Sequence, residues 1–207
     1  YKNKLKMKKT ALITGAAKRI GKGIALFLAK NGFDIIAHYN QSEKEINELT
    51  KQISQLGQEC WPVQYDLTNT NNIESLVNKI YKIENNIDLI IHNASSFDDI
   101  EFKHTTEENL KTHFNVHLFA PLLITKFYQK KQKKNGNIIF LIDSNIKQKK
   151  TNRFAYLMSK KSVKDFIEMA AHELAPKIQI NGISPGYILN PSNSILTKKE
   201  KEIKINE

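Results

Sequence analysis

Cysteine is almost absent from this sequence: Cys60 is the single one among 207 residues, so no disulfide can form within the chain. Long apolar runs are also missing, because none approaches the roughly 18 to 20 residues that a membrane-spanning helix needs. The lysine-rich start has no signal-peptide cleavage pattern, and we expect no such leader. These absences argue against a disulfide-stabilised secreted scaffold and a membrane protein, and they predict a reduced, cytoplasmic setting.

Acidic residues are in deficit. The 21 aspartates and glutamates are outnumbered by 32 lysines and arginines, which gives a formal net charge of +11. Such a surplus is typical of nucleic-acid-binding proteins. Here the lysines cluster at predicted helix ends and loops, around 130–134 and 147–150, without interleaved aromatic residues or a helix-turn-helix pattern. We interpret them as solvated surface and expect no nucleic-acid partner, while anionic small ligands stay open.

Metal-ligand spacing is missing as well. The histidines show no pairing with cysteine or with paired carboxylates that would define a zinc site, so we predict no metal. We interpret the following residues as surface or core histidines: His92, His104, His113, His117 and His172.

What the sequence does have is an alternation of apolar strand-like runs and amphipathic stretches, which is typical of βαβ units around a parallel sheet. A chain of this length fits one domain, and its 40% apolar residues suffice for a sizeable core. We predict an α/β, Rossmann-type, doubly wound parallel sheet in a single domain over residues 7–207, with residues 1–6 an expression remnant. Strands are predicted at 10–14, 33–39, 63–65, 87–91, 137–142 and 178–183, and helices at about 19–31, 42–57, 73–83, 112–132 and 155–174.

Helical spacing also predicts which side chains face the core. In the first helix the apolar face comprises Ile20, Ile24, Phe27 and Leu28. The second helix is predicted to be capped by Ser42 and stopped by Gly57, with a core face of Ile46, Leu49, Ile53 and Leu56.

The first strand runs into a glycine-containing turn, Thr-Gly-Ala-Ala-Lys-Arg-Ile-Gly from Thr14 to Gly21, that opens directly into a helix. Glycine permits a tight turn and a close approach of backbone to a pyrophosphate, and the helix N-terminus supplies free N–H groups. Taken alone, the pattern is better explained by an ordinary strand-to-helix turn. The arginine at Arg19 adds a hint of an anion nearby, because a cation at a helix N-terminus is otherwise unfavourable.

Tyr156 and Lys160 are four residues apart on a predicted helix, so both side chains lie on one face. A tyrosine with its ordinary pKa of about 10 is a weak acid-base group near neutrality, and a neighbouring ammonium would lower that pKa. A solvated helical pair is the alternative interpretation of the same spacing.

Together these residues resemble the short-chain dehydrogenase/reductase family, in register over most of the chain. The likeness rests on the turn, on Asp66-Leu67, on Asn93-Ala94-Ser95, on Asn115, on Tyr156 with Lys160, and on the segment from Asn181 to Gly186. It implies catalytic roles for Asn115, Asp143, Tyr156 and Lys160. It implies a cofactor site built from Gly15, Lys18, Arg19, Ile20, Gly21, His38, Tyr39, Asn40, Gln41, Ser42, Asp66, Leu67, Asn93, Ala94, Ser95, Tyr156, Lys160, Pro185 and Gly186.

Three departures from the family pattern point to one branch. Arg19 replaces the usual middle glycine, Ser95 the usual glycine after Asn-Ala, and Asp143, thirteen residues before Tyr156, the usual catalytic serine. These features are similar to the pteridine reductases and the bacterial dihydromonapterin/dihydrofolate reductases. The resemblance implies a pterin stacked on Phe97, with Arg19, Ser95, Asp143 and Tyr156 around its polar edge.

The implied reaction is hydride transfer from NADPH to a pterin C=N bond, with Tyr156 as proton donor assisted by Asp143. In this picture Lys160 orients the nicotinamide ribose and, together with the bound cationic nicotinamide, lowers the tyrosine pKa. Asn115 holds the helix backbone and a water that connects Lys160 to solvent. NADPH is expected because no carboxylate follows the second strand to grip a ribose hydroxyl. The branch commonly has an arginine where Gln41 stands, so a phosphate would depend more on Arg19 and Ser42.

Likeness to the family further implies a homotetramer that packs the helices near 112–132 and 155–174 between subunits. The family pattern also continues with further helices and a last strand beyond the point where this sequence stops, at Glu207, and we expect omitted residues rather than a truncated product.

Two alternatives stay open. One is a carbonyl reductase of the same family, such as a 3-oxoacyl thioester reductase, with Asp143 replacing serine as a hydrogen-bond partner. The other is a non-catalytic NADPH-binding sensor, which would not need Tyr156 and Lys160.

Overall fold

The computed structural model describes residues 8–149 and 151–188. Its strands are β1 (Lys9–Ile13), β2 (Phe33–Tyr39), β3 (Cys60–Gln64), β4 (Leu89–His92), β5 (Gly136–Leu141) and β6 (Ile178–Ile183). They form one parallel sheet in the order β3-β2-β1-β4-β5-β6. The helices are α1 (Arg19–Lys30), α2 (Glu43–Gln55), α3 (Ile73–Ile83), α4 (Glu107–Phe114), α5 (Ala120–Lys131) and α6 (Phe154–Leu174).

Both faces of the sheet are covered, because successive residues of each strand enter opposite cores. In β1, Ala11 and Ile13 join the core under α1 and α2, whereas Leu12 joins the core under α3, α5 and α6. The predicted doubly wound, Rossmann-type single domain is confirmed. The predicted bounds of β2, α3 and β6 agree with the structure residue for residue.

The strand order reverses between β1 and β4. From β1 the chain proceeds outward through β2 and β3, and it then returns to the other side of β1 as β4. At such a switch point the connections leave the sheet in opposite directions and open a crevice at the carboxyl ends of the strands. The candidate site described below lies in this crevice.

The predicted core face of α1 is confirmed only in part: Ile24 and Leu28 pack, partly buried, against the core. The buried residues of this helix are Gly21, Ala25 and Ala29, while Phe27 is 64% exposed. Small side chains let the helix axis approach the sheet closely, so the larger residues beside them lie at the rim. A hydrophobicity pattern misses this arrangement, because alanine and glycine contribute little to it.

The predicted start and end of α2 need smaller corrections. Ser42 occupies the N-cap position, but its side chain makes no capping hydrogen bond. Ile46, Leu49 and Ile53 are buried as predicted, whereas Leu56 lies beyond the last helical residue and is 37% exposed.

The single long helix predicted over 112–132 is interrupted. A π-helical turn, Asn115–Phe119, separates α4 from α5. Such wide turns are common at functional sites, because they redirect side chains that a regular helix would place elsewhere. This one places both Asn115 and His117 toward the interior of the protein.

No helix in the described ranges is both long and apolar enough to cross a membrane. The predictions for residues 1–6 and for the end of the chain fall outside the residues that the structure describes.

Packing between β5 and α5 generates a test. A Cβ at Gly136 would overlap the hydroxyl of Tyr128, which donates a buried hydrogen bond to the Ile87 carbonyl at 2.8 Å. We expect Gly136→Ala to lower the free energy of unfolding by about 1–3 kcal/mol, since an overpacked core must shift. The matched control is Gly23→Ala on α1, where a Cβ meets nothing within 4 Å. It should raise the free energy of unfolding by about 0.5–1 kcal/mol. Urea unfolding of both variants measures the difference, and equal effects would contradict it.

Candidate active site

The turn between β1 and α1 is shaped by two glycines. Gly15 has a φ of 65°, and a Cβ there would lie 2.9 Å from the Cα of Ala94. A Cβ at Gly21 would overlap the carbonyl oxygen of Gly15. Both positions therefore require glycine. The N-cap residue of α1, Lys18, makes no side-chain capping bond, and amide groups of the first turn can bind an anion.

Arg19 follows this turn with a φ of 50°. A side chain in the left-handed region costs of order 1–3 kcal/mol, and such residues cluster at binding sites. The strained backbone makes Arg19 a candidate binding residue.

The switch point is held by side chains of Thr14 and Asn93. Thr14 Oγ1 accepts hydrogen bonds from the backbone amides of Asn93 and Ala94, both at 3.0 Å. In return, Asn93 Nδ2 donates to the carbonyl oxygens of Thr14 at 2.9 Å and Gly15 at 3.0 Å. The glycine turn is thereby fixed to the end of β4.

His38 fixes the same turn from the other side. Its Nδ1 accepts from the Gly15 amide at 3.2 Å, and its Nε2 lies 3.0 Å from the Tyr65 carbonyl. Because an amide can only donate and a carbonyl can only accept, the imidazole is neutral with its proton on Nε2. Burial lowers the pKa of His38 to about 4, which agrees with this state. The ring of His38 thus holds the turn and is not free to grip a phosphate.

A groove of about 390 Å³ lies over these ends of the strands. It brings together most of the residues predicted for the cofactor's adenosine side and the middle of the site. Its lining includes Gly15, Lys18, His38, Tyr39, Asn40, Gln41, Ser42, Asp66, Leu67, Ala94 and Ser95. At its mouth Lys18 Nζ pairs with Glu45 at 2.9 Å, which lowers the pKa of Glu45. This ion pair joins the N-cap residue of α1 to the first turn of α2.

Tyr156 and Asp143 meet at the carboxyl end of β5. The tyrosine hydroxyl donates to Asp143 Oδ2 at 2.7 Å, and Asp143 Oδ1 accepts from the Asn145 amide at 2.7 Å. Burial, followed by the Asp143 charge, raises the pKa of Tyr156, and Arg153 opposes this only in part. The lowered pKa that the family resemblance implies depends on Lys160 together with a bound cationic nicotinamide, and it stays a prediction. The phenol is held protonated, which is the state of a proton donor.

Lys160 lies below Tyr156 on α6 and is 5% exposed. Its Nζ donates to the Leu141 carbonyl at 2.7 Å and lies 5.9 Å from the centre of the Tyr156 ring. Burial lowers the pKa of this lysine to about 8, although the Asp143 charge partly offsets the effect. The two residues do share a helix face, and burial argues against the alternative of a solvated pair.

Asn115 is placed differently from the role that the resemblance implies. Its Nδ2 donates to the carbonyl oxygen of Thr68 at 2.8 Å. The side chain therefore joins the π-helical turn to the segment after β3, next to Asp66 and Leu67. No hydrogen bond among the described residues joins Asn115 to Lys160, so the implied link between these two residues stays a prediction.

Phe97 lies beside the tyrosine in the loop after β4. Its ring meets Tyr156 edge-on, with centroids 5.0 Å apart and an interplanar angle of 78°, and it is 49% exposed. The guanidinium of Arg153 lies 4.4 Å from the Phe97 ring centre, and Arg153 Nε lies 2.6 Å from Asp99 Oδ1. The loop is thus attached to the start of α6.

The segment after β6 approaches the same place. The backbone amide of Ser144 donates to the Pro185 carbonyl at 3.2 Å. Pro185 therefore lies beside Asp143, and its predicted contact with a cofactor stays a prediction.

Three side chains beside Tyr156 are not among the predicted site residues: Arg153, His113 and His117. Both histidines are buried, and the centres of their rings lie 6.1 Å and 5.5 Å from that of Tyr156. His113 Nε2 also lies 3.3 Å from Asp98 Oδ2. The spacing of four between the histidines, equal to that of Tyr156 and Lys160, was the available signal. Within the described residues, no group of three or more His, Cys, Asp or Glu side chains could hold a metal ion.

A glycine turn at the switch point of a doubly wound sheet, with a buried tyrosine and lysine beside it, defines an oxidoreductase domain with a nicotinamide-cofactor groove. The sequence model described as short chain dehydrogenase matches residues 9–201. The chain therefore belongs to the short chain dehydrogenase family.

Solved structures and curated relatives agree with this assignment. FolM alternative dihydrofolate reductase 1 of Brucella suis, solved in complex with NADP, is 30% identical with a TM-score of 0.83, covering 88% of this chain and 76% of that one. The acetoin dehydrogenase of Enterobacter cloacae shares the fold, at 22% identity and a TM-score of 0.84 over 91% and 76% of the two chains. A hydroxynaphthalene reductase-like protein of Metarhizium brunneum is 29% identical over 87% of this chain and 68% of its own length.

Buried neutral histidines predict sensitivity to acid. Burial lowers the pKa of His92 to about 3, and neither of its ring nitrogens has a hydrogen-bond partner in the structure. Below pH about 6.5 the unfolded chain binds a proton at this histidine, whereas the folded chain does not. The free energy of unfolding therefore decreases as the pH is lowered. Between pH 6.5 and 4.5 we expect His92 to account for about 2 kcal/mol of that loss.

The check is His92→Leu, measured by urea unfolding across this pH range. Between pH 6.5 and 4.5 this variant should lose about 2 kcal/mol less of its free energy of unfolding than the unsubstituted protein does. His172→Leu is the control, because His172 is exposed and should leave the pH dependence unchanged. Parallel pH curves for all three proteins would contradict the prediction.

Proposed function

We propose that this protein is an NADPH-dependent reductase of a pterin, such as a dihydropterin or dihydrofolate. The observation that carries the proposal is the hydrogen bond from Tyr156 to Asp143 at 2.7 Å, in the place where the family usually has a serine. A carboxylate at this position can relay protons and accept from the donor edge of a pterin, which a serine does less well. Phe97, edge-on to the same tyrosine, offers an aromatic surface nearby.

The residues of the groove fit a dinucleotide. Glycine at Gly15 and Gly21 lets the turn, α1 and the loop after β4 pack closely, and a glycine turn of this kind lets a pyrophosphate approach the backbone. Asp66 and Leu67 would hold the adenine, Lys18, Arg19 and Ser42 would bind a 2′-phosphate, and Lys160 would hold the nicotinamide ribose. When bound, NADPH would supply the hydride for the carbon of a C=N bond.

Tyr156 would supply the matching proton. Its raised pKa keeps the hydroxyl protonated until a more basic atom is presented, and the nitrogen of a C=N bond gaining a hydride is such an atom. The π bond breaks, one C–H and one N–H bond form, and the tyrosine oxygen then needs a proton. Asp143, half-buried and hydrogen-bonded to that oxygen, is placed to pass one from solvent.

The substrate would lie against Phe97, with Arg19, Ser95, Asp143 and Tyr156 at its polar edge. A flat heteroaromatic ring is stabilised by stacking on an aromatic face. The likeness to an alternative dihydrofolate reductase at 30% identity and the presence of NADP in that structure support both substrate class and cofactor.

A carbonyl reductase is the second candidate, and the names of relatives favour it. Curated relatives include hydroxynaphthalene reductases, and acetoin dehydrogenases share the fold. A non-catalytic sensor is a weaker alternative, because the buried Tyr156–Asp143 and Lys160 contacts have no function in it.

We also propose a homotetramer, as the family resemblance implies. Apolar side chains on the π-helical turn and α6 support a self-associating surface: Phe119, Met158 and Met169 are 45%, 41% and 74% exposed.

The test of function is NADPH oxidation with dihydrobiopterin, dihydromonapterin, dihydrofolate and acetoacetyl thioester offered side by side. We expect turnover of at least one of the first three and little of the thioester. Tyr156→Phe should lower kcat by about 10²–10⁴-fold, since it removes the proton donor. Asp143→Ser restores the family's usual residue and should lower pterin turnover more than thioester turnover. Turnover of the thioester alone would refute the pterin assignment.

Two phenylalanines of one loop give a matched test of stacking. Phe97→Ala should raise the KM for a pterin about tenfold, because stacking is worth about 0.5–1.5 kcal/mol beyond buried area. Phe102→Ala is the control: Phe102 is 71% exposed and packs on Phe154, at a centroid distance of 4.8 Å. It should leave KM within twofold. Cofactor affinity, followed by NADPH fluorescence, should be nearly unchanged in both; an equal loss of substrate and cofactor affinity in Phe97→Ala would contradict the stacking role.

A further inference from the structure

His117 bridges the two segments that carry the candidate substrate residues. It lies in the π-helical turn and is 3% exposed. On one side its Nε2 accepts from the Ser96 backbone amide at 3.1 Å, with Ser95 Oγ 2.9 Å from the same nitrogen. On the other side its Nδ1 lies 2.8 Å from Ser159 Oγ on α6.

The donor and acceptor of each of these hydrogen bonds follow from the backbone groups at the two ends of the chain of bonds, an amide and a carbonyl. The Ser96 amide can only donate, so Nε2 is the acceptor and the ring proton is on Nδ1. Nδ1–H therefore donates to Ser159 Oγ, whose own hydroxyl donates to the Tyr156 carbonyl at 2.7 Å. Burial holds the pKa of His117 well below its usual value, which agrees with a neutral ring. A single tautomer thus connects the loop after β4 to the backbone of Tyr156.

The ring also contacts the tyrosine itself. The His117 and Tyr156 rings are nearly perpendicular, at 89°, with centroids 5.5 Å apart. The loop on the other side of His117 carries Ser95 and, one residue beyond Ser96, Phe97. The imidazole therefore links the loop that carries the stacking surface to the helix that carries the proton donor.

We propose that His117 is a positioning residue: its neutral imidazole couples the loop of Ser95 and Phe97 to the helix that carries Tyr156. The proposal rests on the proposed function, because it assigns that loop to the substrate.

Two substitutions separate the two halves of the bridge. In His117→Gln the side-chain carbonyl can reach the place of Nε2 and still accept from Ser96, but the donor to Ser159 is lost. In His117→Asn the amide nitrogen can occupy the place of Nδ1 and still donate to Ser159, but the acceptor for Ser96 is lost. His172→Gln and His172→Asn on the exposed side of α6 are the matched controls.

Loss of the hydrogen bond between His117 and the Ser96 amide should change KM. We expect His117→Asn to raise the KM for the pterin about tenfold with kcat within about threefold, the scale of one lost hydrogen bond. Amide hydrogen exchange over residues 95–101 should also accelerate in this variant and not in His117→Gln. NADPH affinity should stay within twofold of the unsubstituted protein in both.

Loss of the hydrogen bond between His117 and Ser159 should change kcat. We expect His117→Gln to lower kcat several-fold with little change in KM. Ser159→Ala should have the same effect, because it removes the hydroxyl between His117 and the Tyr156 carbonyl while His117 itself is kept. Ser159→Ala also serves if a His117 variant does not fold, as judged by circular dichroism.

Equal changes of KM and kcat in the Asn and Gln variants, or no change in either, would overturn the proposal. So would loop hydrogen exchange that is the same in all variants. If the unsubstituted protein does not reduce any pterin, the proposed function fails, yet the hydrogen-exchange comparison still decides whether His117 holds the loop.

Discussion

The hydrogen bonds between Thr14 and Asn93 tie the end of β1 to the end of β4, and every other part of the candidate site is placed relative to them. The pairing of β1 with β4 ends at the hydrogen bond from the Thr14 amide to the Ile91 carbonyl, and beyond it the two loops turn away from each other. Four hydrogen bonds from two side chains fill that gap. The glycine turn, the groove and the loop of Phe97 all depend on this contact.

Around it, polar side chains are used for holding backbone as often as for facing a ligand. His38 bonds the turn to the end of β3, Asn115 bonds the π-helical turn to Thr68, and Lys160 bonds Leu141. Each of these groups is buried or half-buried, so an unmade bond would be costly and the made bond fixes a single geometry. The site is rigid because its polar groups have few alternatives.

Regular features were predictable from the sequence because their physical causes are local. The bounds of β2, α3 and β6 follow from apolar periodicity, and Gly57 adopts the left-handed φ of 79° that a helix stop requires. The pairing of Asp143 with Tyr156 followed from the spacing of thirteen that the family keeps.

Other features depend on contacts that no local pattern encodes. The face of α1 is set by how close small residues allow the helix to approach the sheet. His117 and Ser159 are 42 residues apart, so their hydrogen bond exists only in the fold. The pKa of Tyr156 is raised by burial and by the Asp143 carboxylate. The spacing of Tyr156 and Lys160 in the sequence predicts neither the burial nor the effect of that charge.

The π-helical turn has a consequence for how the helix region is compared among relatives. A wide turn accommodates one residue more than the regular helix around it, so the helical phase before Asn115 does not continue past Phe119. The i, i+3 and i+4 spacing of a regular helix therefore does not show which side chains of α4 and α5 lie on the same face. A relative that is one residue shorter here could keep a straight helix, and its residue in the place of His117 would then be rotated away from the catalytic helix. Sequence gaps at this turn thus separate relatives that can build the bridge from those that cannot.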